Sequence, residues 1–229
     1  MSVTAPAGFR AAGVAAGLKA SGLLDLALLV NDGPLHAAAG VFTANRVKAA
    51  PVLWSQQVVS DGRVDAVVLN SGGANACTGP AGFQDTHATA EWAAASLGVA
   101  PGDVAVCSTG LIGERLPIDA LLAGVDAAAP LLSATGGDEA ARAIMTTDRV
   151  PKQAVRAPAA GFTVGGMAKG AGMLAPGLAT MLAVVTTDAV ADAAVLDRVL
   201  CAATTATFDR VDSDGCTSTN DTVLLLASG

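Results

Sequence analysis

The residues best suited to covalent chemistry lie in the segment KGAGMLAPGLATML, which begins at Lys169. Pro176 and Gly177 mark a turn, and Thr180 stands immediately before an apolar run typical of a buried strand. This arrangement allows the hydroxyl of Thr180 to attack the carbonyl of Ala179 and convert the peptide bond into an ester. Water then releases Thr180 as a new N-terminus, so that the nucleophile carries its own base, the threonine α-amine.

The free α-amine is a better base than the side chain of Lys169. An α-amine with a pKa near 7.7 to 8.0 is roughly one tenth to one sixth neutral at pH 7, whereas an unperturbed lysine with a pKa of about 10.4 is only about 0.04% neutral. The β-branch of Thr180 also leaves few side-chain rotamers, which keeps its hydroxyl aimed. The sequence therefore favours the amine as the base, unless burial lowers the pKa of Lys169.

Other familiar catalytic arrangements are missing from the sequence. Of the two histidines, His36 and His87, the second falls within a predicted helix and is expected to face solvent or pair with a neighbour. Neither G-x-S-x-G nor H-E-x-x-H occurs, so a serine–histidine–aspartate enzyme and a zinc hydrolase are not expected. The widely spaced cysteines predict four reduced and mostly buried thiols, with no disulfide and no metal site. They are Cys77, Cys107, Cys201 and Cys216.

Short apolar runs alternate with alanine-rich helical stretches, which predicts an α/β or α+β fold. Strands are predicted at residues 26–30, 38–43, 66–69, 104–107, 162–167, 181–186 and 223–226, and helices at residues 83–97, 117–132, 138–145 and 192–205. Pro117 suits a first helical turn, and Gly98 suits a helix cap.

Four loops next to these elements carry unusual residues, at positions 70–79, 108–113, 145–148 and 165–182. The glycine-rich loops lack the spacing of a phosphate-binding loop, so a nucleotide site is not favoured. Spacing alone predicts a tight turn after Asn70 that uses Gly72 and Gly73 for positive φ. Residues 108–110 likewise read as an ordinary turn that ends a strand.

Composition restricts the possible classes of protein. The 229 residues carry a formal net charge of −7 and no basic run, which argues against a nucleic-acid partner. Hydrophobic residues make up 52% and charged residues 14%, so the chain can bury a sizeable core in one large domain or two small ones. We find no apolar run long enough to span a membrane and no signal-peptide pattern, and we therefore expect a cytoplasmic protein.

Seven segments together resemble the glutamate/ornithine N-acetyltransferases of arginine biosynthesis, which cleave themselves. They are GFRAAGVAAGLK, FTANRVKAAPV, LNSGGANACTG, CSTGLIGE, IMTTD, KGAGM with the ATML that follows it, and SDGCTSTNDT. The resemblance extends over the whole chain. It implies an α/β (α+β) fold of the DmpA/ornithine acetyltransferase type, with a topology distinct from the four-layer N-terminal nucleophile (Ntn) hydrolases.

The resemblance also implies which residues act on the bonds. Cleavage falls between Ala179 and Thr180, and Thr180 becomes the catalytic nucleophile. Thr109 through its hydroxyl and Gly110 through its backbone N–H stabilise the oxyanion. Losing one donor of this kind typically costs about 2.7 to 4 kcal/mol of barrier.

The implied substrate-binding residues are Thr146, Thr147, Lys169 and Thr180. The implied substrates, N-acetylornithine and glutamate, each carry a carboxylate. An acidic chain offers such an anion little long-range attraction, so a local cation such as Lys169 is needed. The alternatives are a solvated surface lysine at position 169 and an ordinary helix end at the two threonines.

The implied reaction is a ping-pong transfer of acetyl from N-acetylornithine to Thr180 and then to glutamate. One amide replaces a similar amide, so no cofactor, ATP or metal is expected, although acetyl-CoA could act as a second donor. The implied assembly is an α2β2 heterotetramer. Residues 1–179 would form the α chain and residues 180–229 the start of a β chain, because family members continue past this point and this chain reads as truncated. The alternatives are a self-processed aminopeptidase or amidase, in which water intercepts the acyl-enzyme, and an inactive metabolite-binding fragment.

Overall fold

The computed structural model describes residues 2–159, 161–173 and 181–229. In these residues the strands are β1 (Phe9–Val14), β2 (Leu26–Asn31), β3 (Ala37–Phe42), β4 (Ala66–Gly73), β5 (Val104–Leu111), β6 (Lys152–Arg156), β7 (Val164–Lys169), β8 (Leu182–Thr187) and β9 (Thr222–Ala227). The α-helices are α1 (Ala50–Val58), α2 (Gly79–Leu97), α3 (Ile118–Ala128), α4 (Gly137–Ala143) and α5 (Ala193–Ala206).

The strands form two sheets, with the orders β1-β2-β4-β5 and β3-β9-β8-β7-β6. Each sheet contains one parallel pair, β4 with β5 and β8 with β9, and the other pairs are antiparallel. A parallel pair needs a long crossover connection, and α2 and α5 lie in these two crossovers. The second sheet joins the two sides of position 180, because β8 pairs with β7 and β9 pairs with β3.

The two sheets pack face to face, and helices cover their outer faces. Strand β2 is buried along its whole length because alternate side chains point to the two faces. Ala27 and Leu29 join the core shared with the second sheet, whereas Leu26 and Leu28 join the core beneath α2 and α3. On the far side, Leu196 and Leu200 of α5 pack against the second sheet; the side chains shared there include Met181, Ala183, Val223 and Leu225.

The order of layers is therefore helix, sheet, sheet, helix. The α/β class predicted from the sequence is confirmed. The layers match a four-layer architecture, whereas a topology distinct from that of the Ntn hydrolases stays a prediction.

Small residues allow α4 to lie close to β1 and to contribute to the core that the two sheets share. Ala140, Ala141 and Ala143 of this helix are fully buried in the shared core. A Cβ atom on Gly13 of β1 would lie 2.3 Å from the carbonyl oxygen of Glu139, which is closer than atoms can approach. The alanine- and glycine-rich composition is thus used for close packing of helix on sheet.

The predicted strands and helices are all present, with shifted ends. Gly98 caps α2 in the left-handed conformation, as predicted. The helix predicted for residues 117–132 is shorter than expected, because α3 begins after Pro117 and a 3-10 turn, Ala129–Leu131, follows it. Pro130 lacks the N–H group that would continue an α-helix.

The turns predicted at residues 70–73 and 108–110 are wrong, since these residues continue β4 and β5 to Gly73 and Leu111. Of the two glycines expected to have positive φ, Gly72 has it, with φ +113°, and Gly73 does not. The prediction of mostly buried thiols is also wrong: Cys107 is buried, whereas the other three cysteines are exposed.

Candidate active site

A cavity of about 540 Å³ lies where the ends of β4 and β5 meet the end of β7 and the residues that follow it. Its wall brings together five residues that the resemblance assigns to catalysis or substrate binding: Thr109, Gly110, Thr146, Thr147 and Lys169. They come from three separate loops or strand ends, so only the packing of the two sheets makes them neighbours.

Lys169 is the last residue of β7, and its side chain is buried. Its ammonium donates a hydrogen bond of 3.1 Å to Oγ1 of Thr109. Burial lowers the pKa of Lys169 from 10.5 to about 8, and the carboxylates of Asp148 and Asp221 oppose this shift. The alternative of a solvated surface lysine is therefore wrong, and at neutral pH the group is mainly a buried cation facing a cavity that an anion could enter. With a pKa of about 8 it is roughly as neutral at pH 7 as an α-amine, so the advantage predicted for the amine from an unperturbed lysine pKa is lost.

Thr109 is the last buried residue of β5, and the strand becomes exposed at Gly110. Because its Oγ1 accepts the bond from Lys169, the hydroxyl hydrogen of Thr109 remains available as a donor. Thr109 also lines the cavity. The geometry is suited to a hydroxyl that donates to an oxyanion formed there.

Gly110 is required by the close approach of two backbones. It lies opposite Gly72 in the parallel pair of β4 and β5, at an irregularity in the register. Its φ is +136°, a region that side chains other than glycine rarely adopt. A Cβ atom on Gly110 would lie 2.4 Å from the carbonyl carbon of Gly72, so any side chain would displace one of the strands.

The exposed pair Thr146 and Thr147 follows α4, and Asp148 holds this loop against the end of β7. The carboxylate of Asp148 accepts hydrogen bonds from the backbone N–H of Thr146 at 3.2 Å and of Gly170 at 2.8 Å, and it pairs with Lys152. Burial alone would raise the pKa of Asp148, but these hydrogen bonds outweigh it and hold the pKa below its usual value. The threonine pair is thus positioned by an ionised aspartate rather than being an ordinary helix end.

The predicted cleavage site and nucleophile, Ala179 and Thr180, lie outside the described residues, so their roles stay predictions. The next residue, Met181, donates its backbone N–H to Oδ1 of Asp221 at 2.7 Å. Asp221 is fully buried, and this burial raises its pKa to about 6. Sequence reasoning missed Asp221, although it belongs to the SDGCTSTNDT segment.

A second group that sequence reasoning missed connects this segment to both strands of the parallel pair. The side-chain amide of Asn220 donates to the carbonyl of Ser108 at 2.8 Å and to that of Ala74 at 2.6 Å. The hydroxyl of Ser108 in turn donates to Oδ1 of Asn70 at 2.5 Å. These bonds fix the backbone immediately before Thr109. The asparagines stand in the LNSGGANACTG and SDGCTSTNDT segments, which marked them without showing their contacts.

Groups elsewhere in the molecule are less suited to catalysis. His87 is exposed, as predicted, and its ring contacts Trp54 with 4.9 Å between ring centres. A further cavity of about 390 Å³ between α5 and the second sheet is lined by side chains such as Phe162, Leu200 and Phe208 and by no titratable group. Within the described ranges, no three His, Cys, Asp or Glu side chains are grouped so that they could hold a metal ion.

The helices of residues 2–159, 161–173 and 181–229 include none with the length and apolar character needed to cross a bilayer.

The fold places the chain in a known structural class. It is similar to the l-aminopeptidase d-ala-esterase/amidase from Ochrobactrum anthropi, described as a new variant among the Ntn hydrolase fold, with a TM-score of 0.60 over 99% of this chain and 73% of that chain. Sequence identity is 13%, so this similarity concerns the fold alone. The fold is therefore of the layered Ntn-hydrolase-like kind, in agreement with the four layers described above.

Within that class, the ArgJ family model matches residues 10–229, and the chain belongs to the ArgJ family. It is 71% identical over its whole length to the arginine biosynthesis bifunctional protein ArgJ of Streptomyces coelicolor, and it spans 60% of that protein's length. It is also similar to the ornithine acetyltransferase of Mycobacterium tuberculosis, whose crystal structure is complexed with ornithine. That match has 66% identity and a TM-score of 0.76, and it covers 79% of this chain and 96% of that chain.

Proposed function

We propose that the complete protein is an acetyltransferase that moves acetyl from N-acetylornithine to glutamate in arginine biosynthesis. The observation that carries this proposal is that one cavity brings together Thr109, Gly110, Thr146, Thr147 and Lys169. The name and bound ornithine of the M. tuberculosis relative support the substrate class. The name of the S. coelicolor relative supports the pathway.

The first proposed step is self-cleavage. Thr180 Oγ attacks the carbonyl carbon of Ala179, the C–N bond breaks, and the hydroxyl proton passes to the released amine. Water then hydrolyses the ester, which leaves a carboxylate on Ala179 and a free amine on Thr180. Chain length supports this step. The match covers 96% of the solved M. tuberculosis chain but only 79% of this chain, which means that the solved chain is the shorter of the two. The S. coelicolor relative is longer than this chain, because this chain spans only 60% of it. A solved chain this short is consistent with one product of self-cleavage.

The second proposed step transfers acetyl to the enzyme. The free amine of Thr180 takes the hydroxyl proton, and Oγ attacks the acetyl carbonyl of N-acetylornithine. The hydroxyl of Thr109 and the N–H of Gly110 stabilise the negative oxygen that develops. The amide C–N bond then breaks, ornithine leaves with the proton, and acetyl remains on Thr180 as an ester.

The third proposed step returns the enzyme to its free form. The neutral amine of glutamate attacks the ester carbonyl, N-acetylglutamate leaves, and Oγ of Thr180 regains a proton. Lys169, with Thr146 and Thr147, binds a carboxylate that both substrates share. The same proposal includes acetyl-CoA as an additional donor and action without a bound cofactor or metal. It also includes an α2β2 assembly and a cytoplasmic location.

The proposal is tested by intact-mass spectrometry and product analysis of the full-length protein and its Thr180→Ala variant. We expect the wild type to give two chains that separate only on denaturation, because β8 and β9 pair with β7 and β3 across the cut. We expect acetyl on glutamate. The variant should stay uncut and transfer no acetyl.

Two results would contradict the proposal. An uncut wild type with full activity would remove the threonine amine as the base. Free acetate without N-acetylglutamate would instead support the amidase alternative.

A further inference from the structure

A second lysine, Lys19, faces the same cavity as Lys169. It lies in the segment between β1 and β2, far in sequence from the other residues of the site. Lys19 also borders an adjoining cavity of about 390 Å³, whose wall includes Arg142 and Met145. Thr146 is common to both cavities, so Lys19 and Thr146 stand at the boundary between them.

The position of Lys19 is fixed by its surroundings. The fully buried carboxylate of Asp25 accepts hydrogen bonds from three backbone N–H groups of this segment, those of Ala16 at 2.6 Å, Leu18 at 2.6 Å and Lys19 at 2.9 Å. The segment also lies directly on the end of β4, since a Cβ atom on Gly72 would be 2.6 Å from the carbonyl oxygen of Leu18. The lysine is thus presented by a tightly held backbone.

The ammonium of Lys19 retains donors for a ligand. Among the residues that the structure describes, it donates one hydrogen bond, to the carbonyl of Leu24 at 2.8 Å, and an ammonium has three donors. The two carboxylates that raise the pKa of Lys19 already accept other hydrogen bonds. Asp25 holds the three amides named above, and Asp148 holds Lys152 and two amides.

The two lysines that face the cavity repel each other. Burial is the main cause of the lowered pKa of Lys169, and the charge of Lys19 adds to it. Burial also lowers the pKa of Lys19 itself, although Asp25 and Asp148 oppose this shift. An anion placed between two partly desolvated ammonium groups would relieve both penalties. The arrangement is therefore matched to a carboxylate.

We propose that Lys19 is a further substrate-binding residue, which together with Lys169 binds the α-carboxylate of the amino-acid substrate. This inference rests on the proposed function. N-acetylornithine and glutamate differ at the ends of their side chains but have the α-carboxylate in common. One pair of cations therefore serves both halves of the exchange.

The test compares Lys19→Met, Lys19→Arg and the control Lys48→Met in the full-length protein. Lys48 contacts Gln56 and lies outside the cavity wall. We expect Lys19→Met to raise KM for N-acetylornithine and for glutamate by about tenfold or more, with kcat within about twofold, because one charge-assisted hydrogen bond is lost. Lys19→Arg should restore most of the affinity. Self-cleavage, followed by intact mass, should be unchanged in all three variants.

A substrate without the carboxylate distinguishes binding from a structural role. For N-acetylputrescine, the decarboxylated analogue of N-acetylornithine, kcat/KM should be the same in Lys19→Met and the wild type. An equal loss with both substrates, or an unchanged KM for N-acetylornithine, would overturn the role of Lys19.

Binding to the resting protein gives a readout that does not depend on turnover. Calorimetry should show that Lys19→Met weakens ornithine binding about tenfold and leaves putrescine binding unchanged. If the wild type binds ornithine but transfers no acetyl, the proposed function fails while the carboxylate site stands. If the wild type transfers acetyl but Lys19→Met binds ornithine normally, the carboxylate site alone is refuted.

Discussion

We expect the buried ammonium of Lys169 to give the proposed transfer a pH dependence that one substitution removes. Its pKa of about 8 means that Lys169 is charged in roughly nine tenths of the molecules at pH 7 and in roughly one tenth at pH 9. The proposed binding of a carboxylate by Lys169 needs the charged form. An arginine at this position stays charged throughout this range, so Lys169→Arg keeps the cation while removing its titration.

The expected profile for the wild type has two limbs. The amine of Thr180 must be neutral to act as base, so kcat/KM for N-acetylornithine should rise up to about pH 8, the ordinary range of an α-amine. Above pH 8 it should fall by about tenfold for each pH unit as Lys169 loses its charge. In Lys169→Arg the rising limb should remain, and the fall that begins near pH 8 should disappear; any later fall belongs to Lys19, whose pKa burial also lowers.

The assay is the release of ornithine from N-acetylornithine in a single turnover, between pH 6 and pH 10. Omitting glutamate removes the titration of the attacking amine of glutamate from the profile. Lys169→Met should lower kcat/KM at neutral pH and also lack the falling limb, and Lys48→Arg serves as the matched control. A falling limb that persists unchanged in Lys169→Arg would show that another group titrates, and the reasoning from burial would be refuted.

Two further predictions concern Thr109 and Asp221. Thr109→Val keeps the shape of the side chain but removes its hydroxyl. It should lower kcat, measured by steady-state kinetics, about 10²- to 10³-fold. The folded structure, followed by circular dichroism, should change little. Asp221→Asn keeps an acceptor for the N–H of Met181 but removes a carboxyl whose pKa is raised from 3.8 to about 6. The folded state binds the extra proton between these values, so the free energy of unfolding contributed by Asp221 falls as pH rises from about 4 to about 6, by about 3 kcal/mol. Urea unfolding in a Thr180→Ala background should show that Asp221→Asn loses this decline.

The controls for these two predictions are simple. Ser133→Ala, at an exposed hydroxyl outside the site, should leave kcat unchanged, and equal losses in this variant and in Thr109→Val would contradict an oxyanion role. For Asp221, the decisive quantity is the difference between the parent and variant curves, because other carboxyl groups titrate in both. Parallel curves between pH 4 and pH 6 would contradict the raised pKa.

Local sequence patterns determined most of the regular elements. Runs of Val and Leu identified β2, β4, β5, β8 and β9, which are buried on both faces and need little more than apolar side chains. The missed elements lack such a signal. Strand β1 contains Arg10 and Gly13, β6 has alternately exposed residues at the edge of a sheet, and α1 has Pro51 in its first turn. Their conformations depend on what they pack against.

The chemistry-bearing segments were likewise visible in the sequence, where Thr109, Thr146 and Lys169 stood in unusual loops. The sequence could not show that these loops meet, because the hydrogen bond between Lys169 and Thr109 joins residues 60 positions apart. Nor could it show the buried position of Lys169, which changes its pKa, or the places of Lys19 and Asp221 beside the site. Residue types fix which reactions are available, whereas distances and desolvation arise only when two sheets pack together and bring distant strand ends to one cavity.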